Sequence, residues 1–280
     1  YHKTFENYLA AKMRIFAQAR QAVVNRDDPH AQTILNGLTI PCKPFGIREQ
    51  ADISASEIDI TTRGVQFDMH CPLGTIRMYV PIPGLFSVFN AMGAAAAAIQ
   101  LGLPLSAVKN GIETMGSVSG RLEPLPTGGR NFTVLLDYAH TPDALENILK
   151  TARGFAEGRI VTLFGCGGDR DHAKRPIMGE ISGRLADYSI LTSVTSDNPR
   201  TEDPMTIIEA VLEGVRKSSC PYVVVENRYE AIRYALEHAQ PKDVIILAGK
   251  GHENYQEIGS GKRHFDEKEI VAELLGTNEK

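Results

Sequence analysis

The sequence predicts an α/β protein whose later part is a mainly parallel, doubly wound sheet. Beyond residue 121, apolar segments rich in Val, Ile and Leu alternate with amphipathic helical segments. These apolar segments are continuous, which is typical of strands covered by helices on both faces. Between residues 38 and 83, short alternating runs broken by Gly and Pro predict a small antiparallel sheet instead.

The elements of the first part follow from local patterns. Apolar residues at helical spacing predict a helix over about residues 5–16, and a strand-like run, AVVN, precedes the polar turn RDDPH. After the antiparallel segment come two predicted helices and a stretch of small residues, GSVSGR, at 85–101, 104–115 and 116–121. Because GSVSGR is the best candidate linker, we expect two domains, 1–118 and 119–280.

The second part is predicted to contain five strand and helix pairs. The strands are FTVLLDYAH, RIVTLFGCGG, YSILTSV, YVVVEN and DVIILAG, and the helices after them span 141–155, 176–186, 204–217, 229–239 and 266–275. A polar loop and a short pairing segment precede the last helix. Thr141 followed by Pro142 is typical of a helix start.

The composition gives no charge-based argument for binding nucleic acid or membranes. The 280 residues carry a formal net charge of -4, and 23% of them are charged. The longest apolar stretch, AMGAAAAAIQLGL, is too short to cross a bilayer. Four cysteines lie singly, so we expect reduced thiols of a cytoplasmic protein and no zinc site. The first residues, YHKTF, include no initiator Met, and we expect a piece of a longer protein.

Four predicted strands end in dense polar clusters. These clusters are DYAHTPD, FGCGGDRDHAKR, TSDNPR and AGKGHENYQ. The carboxyl ends of parallel strands lie along one edge of their sheet, where ligands bind in open α/β sheets. The four clusters together therefore predict a binding site at that edge.

The first two clusters suggest contacts to hydroxyl and anionic groups. Asp137 ends a buried strand, where an acid can hold a ribose hydroxyl; the alternative is a turn residue that binds its own backbone. FGCGGDRDHAKR lacks the third glycine of a dinucleotide fingerprint. It remains a glycine loop that presents Arg170, Lys174 and Arg175 near a helix start, or else a solvated basic turn.

The other two clusters suggest recognition of a small zwitterion. AGKGHENYQ lacks the spacing of a phosphate-binding loop, but its glycines let the backbone approach a ligand, and His252 and Glu253 can accept hydrogen bonds from an amine. In TSDNPR, the planar guanidinium of Arg200 suits a carboxylate and Asp197 suits an ammonium group, while Pro199 stiffens the segment. For both clusters the alternative is an ordinary polar turn.

The ordered motif set resembles the Mur ligase family, in particular its diaminopimelate-adding members. The motifs are GRLEP, DYAHTPDAL, FGCGGDRDHAKRPIMG, DNPR and AGKGHENYQ. The resemblance covers essentially the whole chain. It implies that 1–118 is the latter part of a central ATPase domain and that 119–280 is a Rossmann-like C-terminal domain.

The resemblance implies a cytoplasmic step of peptidoglycan synthesis. In this family ATP phosphorylates the terminal carboxylate of UDP-N-acetylmuramoyl-L-alanyl-D-glutamate, and the amine of meso-2,6-diaminopimelate attacks the acyl phosphate. ATP and Mg²⁺ are the implied cofactors. The implied partners are these small substrates, with no nucleic acid, no membrane insertion and a monomeric protein.

The resemblance also assigns residues by matching motif. Nucleotide contacts are implied for Asn90, Arg121 and Asp137, with Arg121 acting near the phosphates after domain closure. Lys12 matches a lysine that relatives carbamylate to help position magnesium, which prefers oxygen ligands. The implied contacts to the incoming amino acid are Arg170, Asp197, Asn198, Pro199, Arg200, Gly249 and Glu253.

Departures and alternatives accompany this interpretation. Ser87 stands where relatives often have Asn, and the family's phosphate-binding loop is expected upstream of Tyr1, so the chain alone is expected to be inactive. One alternative is a lysine-adding or folylpolyglutamate-type ligase of the same superfamily. Another is a non-catalytic module that binds amino acids with the same C-terminal fold.

Overall fold

A computed structural model describes residues 4–116, 118–168, 171–193, 202–258 and 261–277. The chain divides into two compact units, one up to Gly116 and one from residue 117 onward. This division falls at the start of the GSVSGR segment, two residues before the boundary predicted from the sequence. Each unit has its own sheet and its own apolar core.

The first unit combines four helices with a five-stranded sheet over its described residues. The helices are α1 (Phe5–Met13), α2 (Ala31–Gly37), α3 (Leu85–Gln100) and α4 (Leu105–Glu113), with a short 3-10 segment at Arg14–Gln18. The strands are β1 (Ala22–Asn25), β2 (Cys42–Gly46), β3 (Ile53–Thr61), β4 (Gly64–Cys71) and β5 (Gly74–Val80).

The first sheet is mixed, which differs in part from the antiparallel sheet predicted for residues 38–83. Its order is β1-β2-β3-β4-β5; β3, β4 and β5 pair antiparallel, whereas β2 pairs parallel with both β1 and β3. Helix α2 carries the chain back between β1 and β2, which makes their parallel pairing possible. The alanine-rich face of α3 packs on the sheet, where Ala95 and Ala96 are fully buried.

The second unit contains the predicted alternation of strands and helices. Its strands are β6 (Glu123–Leu125), β7 (Thr133–Asp137), β8 (Ile160–Phe164), β9 (Tyr188–Leu191), β10 (Tyr222–Val224), β11 (Val244–Ala248), β12 (Tyr255–Ile258) and β13 (Gly261–His264). Its helices are α5 (Pro142–Arg153), α6 (Lys174–Leu185), α7 (Pro204–Val215), α8 (Arg228–Glu237) and α9 (Glu267–Leu275). Strand β6 is not predicted by the sequence pattern.

The six-stranded sheet confirms the predicted doubly wound, mainly parallel class. Its order is β10-β9-β8-β11-β7-β6, and only β6 runs antiparallel. Alternate residues of β11 enter different cores: Val244 and Ile246 pack with α5, α6 and α7, whereas Ile245 and Leu247 pack with α8 and α9. Continuous apolar strands are thus buried on both faces, as the sequence pattern predicts.

The topology opens a crevice at the carboxyl edge of this sheet. Strand β11 lies between β8 and β7. The helices after β7 and β8 pack on one face, whereas the helix after β11 packs on the other. Chains that diverge to opposite faces leave a cleft between their loops, which is the usual ligand position in such sheets.

The helix starts at this edge, except that of α6, are capped by side chains. Thr141 accepts a hydrogen bond from the Ala144 backbone N–H with Pro142 at the first helical position, as predicted. Asp203 and Asn227 cap α7 and α8 in the same manner. None of the helices within the described ranges combines the length and apolar character that a bilayer crossing requires.

Candidate functional site

Three loops of the second unit meet at the carboxyl ends of β7 and β11. The Gly249 N–H, just after β11, donates to the backbone oxygen of Asp137 at 2.9 Å. The Tyr138 N–H donates to the backbone oxygen of Gly120 at 2.9 Å. These bonds join the loop before β6, the end of β7 and the loop after β11 into one continuous surface.

Two glycines allow these loops to approach each other. Gly120 has φ +69, and a Cβ placed on it would lie 2.3 Å from the backbone nitrogen of His252. Gly251 has φ +54, and its Cβ would lie 2.7 Å from Cβ of Tyr138. Both the backbone conformation and the lack of space require glycine here. In the structure the close neighbour of each glycine is another loop of the same chain, and the approach of this backbone to a ligand stays a prediction.

The carboxylate of Asp137 is held by backbone groups at the end of β7. One oxygen accepts from the Leu122 N–H and the other from the Ala139 N–H, each at 2.8 Å. Burial raises the pKa of this carboxyl group and outweighs those two bonds and the nearby charge of Arg121. Asp137 therefore binds backbone groups, as the turn-residue alternative predicts. Each of its carboxylate oxygens still has a second lone pair that could accept from a ligand hydroxyl.

The raised pKa of Asp137 predicts how stability changes with pH. Between the ordinary pKa of 3.8 and the raised value, the folded chain binds more protons at this site than the unfolded chain. As the pH rises, the free energy of unfolding of the wild type therefore decreases at this site, whereas Asp137→Asn has no such titration and does not lose this stability. Urea unfolding of both proteins from pH 4 to pH 7 should show the stability difference, wild type minus variant, falling by at most about 1.4 kcal/mol per pH unit. A difference that rises with pH would contradict this cause.

The ring of Tyr138 lies at the centre of the joined loops. Ring centroids of His140 and His252 lie 4.6 Å and 5.3 Å from it, and the guanidinium carbon of Arg121 lies 5.6 Å away. Its hydroxyl donates to Glu253 across 3.4 Å. The structure thus brings together four predicted site residues: Arg121, Asp137, Gly249 and Glu253.

Tyr138 itself was not predicted as a site residue. Its position directly after β7, inside DYAHTPD, was the available signal. Sequence alone assigned that cluster's chemistry to its acid and missed the aromatic ring between two loops.

The glycine loop after β8 surrounds a buried cysteine. Cys166 is 4% exposed, and its Sγ lies 3.6 Å from Sδ of Met178. Burial raises the pKa of the Cys166 thiol to about 11, against the opposing charges of Lys174 and Arg175. The thiol is therefore protonated near neutral pH and serves as an apolar packing group.

This environment predicts slow alkylation of Cys166. A thiol with a pKa near 11 is about 0.1% thiolate at pH 8, and burial restricts access further. Mass spectrometry after iodoacetamide treatment of the folded chain should show Cys166 labelled at least about 100-fold more slowly than an accessible thiol of ordinary pKa. Equal labelling of Cys166 and the half-buried Cys71 would contradict the assignment.

The prediction that this loop presents Arg175 to a ligand is wrong. Arg175 is 2% exposed and forms a two-pronged pair with Glu202 at 2.9 Å and 3.0 Å. It also donates to the backbone oxygen of Gly167 at 3.3 Å. Lys174 donates to the backbone oxygen of His140 at 3.0 Å. Arg175 thus connects the glycine loop to Glu202, and Lys174 connects the start of α6 to the loop after β7.

Several predicted residues fall outside the described ranges or in the first unit. Arg170, Asp197, Asn198, Pro199 and Arg200 lie outside the described residues. In the first unit, Lys12 is exposed on α1 with its Nζ 5.6 Å from the centroid of the Tyr8 ring. Asn90 is exposed on α3, and Ser87 is buried. The roles assigned to all of these residues stay predictions.

The donor groups needed for a metal ion are not assembled within the ranges that the structure describes. Among those residues, no group of three or more His, Cys, Asp or Glu side chains is arranged to hold an ion. We therefore assign no magnesium ligands here, and the indirect role of Lys12 rests on the motif alone.

Comparison with known families decides the classification. The middle domain of Mur ligases matches residues 1–98, and the Mur ligase glutamate ligase domain matches residues 120–251. The chain belongs to the Mur ligase family. The first match lies within the first structural unit, and the second lies within the second unit and includes Tyr138 and Gly249.

Relatives of this Mur ligase chain include several curated enzymes. It is 46% identical to UDP-N-acetylmuramoyl-L-alanyl-D-glutamate--2,6-diaminopimelate ligase 1 of Clostridium acetobutylicum, over 98% of this chain and 56% of the relative. It is also 46% identical to the ligase of that function named in Caldanaerobacter subterraneus, over 100% of this chain and 57% of the relative. The chain thus spans a little over half the length of the curated relatives it matches.

Solved structures show the same Mur ligase fold. A structure described as UDP-N-acetylmuramoyl-L-alanyl-D-glutamate--2,6-diaminopimelate ligase is 34% identical, with a TM-score of 0.70 over 99% of this chain and 57% of that one. MurF from Acinetobacter baumannii also aligns with a TM-score of 0.70 over 98% of this chain and 56% of that one, at 19% identity. The second likeness shows the fold alone.

Proposed function

We propose that the whole protein is an ATP-dependent ligase that joins meso-2,6-diaminopimelate to UDP-N-acetylmuramoyl-L-alanyl-D-glutamate. The observation that carries this proposal is the 46% identity, over 98% of the chain, to a ligase named for that reaction. The DNPR motif, and the gathering of Arg121, Asp137, Gly249 and Glu253 at one sheet edge, support it further.

The proposed reaction overcomes the poor reactivity of a carboxylate toward amines. ATP transfers its terminal phosphoryl group to a carboxylate oxygen of the D-glutamate, which gives an acyl phosphate and ADP. The amine nitrogen then attacks the carbonyl carbon, the bond from that carbon to the phosphate oxygen breaks, and inorganic phosphate leaves. The amine must arrive deprotonated and aligned, so the site has to bind both ends of the amino acid.

In this proposal the sheet edge binds the incoming amino acid. Glu253 and Asp197 receive its distal ammonium group, and the guanidinium of Arg200 clamps the second carboxylate with two parallel hydrogen bonds. The start of α7 lies four residues beyond Arg200 and favours an anion nearby. The remaining proposed contacts are Arg170, Asn198, Pro199 and Gly249.

Nucleotide binding is a further part of the proposal. Asn90, Arg121 and Asp137 are the candidate residues, with Asp137 accepting from a ribose hydroxyl and Arg121 acting near the phosphates. The exposed guanidinium of Arg121 suits an anion, and the spare lone pairs of Asp137 suit a hydroxyl. Magnesium would neutralise charge on the transferred phosphoryl group, with carbamylated Lys12 helping to position it.

The domain assignment, the oligomeric state and the cellular location belong to the same proposal. We assign residues 1–118 to the latter part of the central ATP-binding domain and residues 119–280 to the C-terminal domain that binds the amino acid. We further propose a monomer in the cytoplasm, where the nucleotide substrates are available. Size-exclusion chromatography with light scattering tests the oligomeric state.

Coupled detection of ADP tests the proposed reaction on the whole protein. The assay supplies ATP, magnesium, the UDP-linked dipeptide and diaminopimelate, and omits one component at a time. We expect ADP release only with all four, together with a product whose mass equals the two joined substrates minus one water. Binding of diaminopimelate without ADP release would favour the non-catalytic alternative, and ADP release without amide product would contradict the proposed reaction.

A further inference from the structure

Three charged side chains are almost completely buried behind the loop that follows β11. Lys250 is 0% exposed, and Arg228 and Glu267 are each 1% exposed. Charged residues are rarely buried to this degree unless each is paired. Lys250 belongs to the loop proposed to contact the amino acid, Arg228 bonds to Ala248 just before that loop, and Glu267 pairs with Arg228.

The hydrogen bonds of Arg228 hold the carboxyl end of β11 in place. Nε of Arg228 donates to Glu267 at 2.5 Å, and Nη2 donates to the backbone oxygen of Ala248 at 2.9 Å. Ala248 is the last residue of β11 and directly precedes Gly249. A charge-assisted bond to a buried carbonyl is short and directional. The point where the loop leaves the strand is therefore fixed.

The side chain of Lys250 forms a hydrogen bond across the loop to which it belongs. Its Nζ donates to the backbone oxygen of Tyr255 at 2.5 Å, at the start of β12. The ammonium also lies 5.4 Å from the centroid of the Phe265 ring and 5.9 Å from that of Tyr255. Burial lowers the pKa of Lys250, and the nearby charge of Glu267 opposes that shift. The side chain thus joins the two ends of segment 250–255.

The backbone of Lys250 adds a third constraint on the same segment. The Glu253 N–H donates to the backbone oxygen of Lys250 at 3.1 Å. Lys250 therefore bonds to Glu253 through its backbone oxygen and to Tyr255 through its side chain. An apolar residue of similar size would avoid the desolvation of a buried cation, so this lysine is not explained by stability alone.

We propose that Lys250 is a positioning residue that holds the 249–255 loop in the conformation in which Gly249 and Glu253 meet the incoming amino acid. Lys250 does not itself touch a ligand, because its side chain is wholly buried. The proposal rests on the proposed function for the identity of that amino acid. It differs from a phosphate-binding role, which would require an accessible ammonium group.

Lys250→Met in the whole protein tests this role. Methionine keeps the length and volume but removes the charge and the donor to Tyr255. We expect KM for diaminopimelate to rise about tenfold or more, the equivalent of one lost hydrogen bond in positioning. KM for ATP should change less than about twofold, and the melting temperature should stay within about 4 °C. Lys217→Met, at an exposed lysine paired with Glu180, is the matched control and should change neither constant.

Amide hydrogen exchange in the whole protein tests the same inference without relying on activity. In Lys250→Met the Glu253 amide should exchange at least about tenfold faster, whereas amides in the centre of β11 keep their protection. Lys250→Gln, which is uncharged but retains an N–H donor, is the second variant if methionine prevents folding. Unchanged exchange at Glu253 in the folded variant, or an unchanged KM for diaminopimelate, would overturn the proposal.

Failure of the proposed function gives a different pattern. If the unmodified protein releases no ADP in response to diaminopimelate, the assigned substrate is wrong. The exchange experiment then still decides whether Lys250 holds the loop. If the unmodified protein is active and Lys250→Met keeps the same KM for diaminopimelate as the Lys217→Met control, the positioning role alone is wrong.

Discussion

Arg200→Ala in the whole protein will raise KM for diaminopimelate about 30-fold or more. Truncating one partner of a buried, hydrogen-bonded charge pair costs about 2–5 kcal/mol in binding, and 2 kcal/mol corresponds to about 30-fold. The reason lies in the proposed contact: diaminopimelate has a second carboxylate, which a planar guanidinium would match with two parallel bonds. Steady-state kinetics at saturating ATP and UDP-linked dipeptide measures this directly.

The control for this variant is Arg216→Ala, because Arg216 is exposed and forms a surface pair with Glu209. Its kinetic constants should match the unmodified protein. Activity with lysine supplies an internal comparison, since lysine lacks the second carboxylate and should lose little when Arg200 is truncated. Unaltered KM for diaminopimelate in Arg200→Ala would show that this arginine does not clamp the substrate.

Glu267→Ala will lower the free energy of unfolding of the second unit by about 3–5 kcal/mol, because it leaves Arg228 buried without its counter-ion. The side chains of both partners are 0% exposed, and the Arg228 to Glu267 contact is 2.5 Å. Amide exchange of Ile245 and Ile246, in the centre of β11, reports the opening of this unit separately from the first one.

Two comparisons separate this effect from ordinary truncation. Glu209→Ala breaks an exposed pair and should cost less than about 1 kcal/mol. The double variant Arg228→Met with Glu267→Leu should recover most of the loss, because two apolar groups of similar size can replace a buried pair. If Glu267→Ala costs no more than Glu209→Ala, the buried pair does not stabilise the sheet edge.

The fold of the second unit follows closely from its sequence because the signals are long and repeated. DVIILAG and RIVTLFGCGG are continuous apolar runs, and both become central strands covered on two faces. The elements that the pattern missed are short. Strand β6 has three residues with Pro124 at its centre, and α2 has seven residues, so neither gives a clear period.

The candidate site was only partly predictable, because polar residues near strand ends do not reveal their partners. Asp137, Gly249 and Glu253 lie where strand ends predict them. Arg175 looked available to a ligand, but its partner Glu202 lies 27 residues further along the chain. The sequence around Lys250 is a polar glycine loop that gives no sign of burial, and only the packing of Phe265 and Tyr255 around the side chain shows it.

The most direct test of the assigned function compares kcat/KM for meso-diaminopimelate and L-lysine in the whole protein, under the same ATP and UDP-linked dipeptide concentrations. A clamp on the second carboxylate predicts a preference for diaminopimelate of about 30-fold or more. Equal efficiency with the two amino acids, or a preference for lysine, would contradict the assignment of this sheet edge to diaminopimelate.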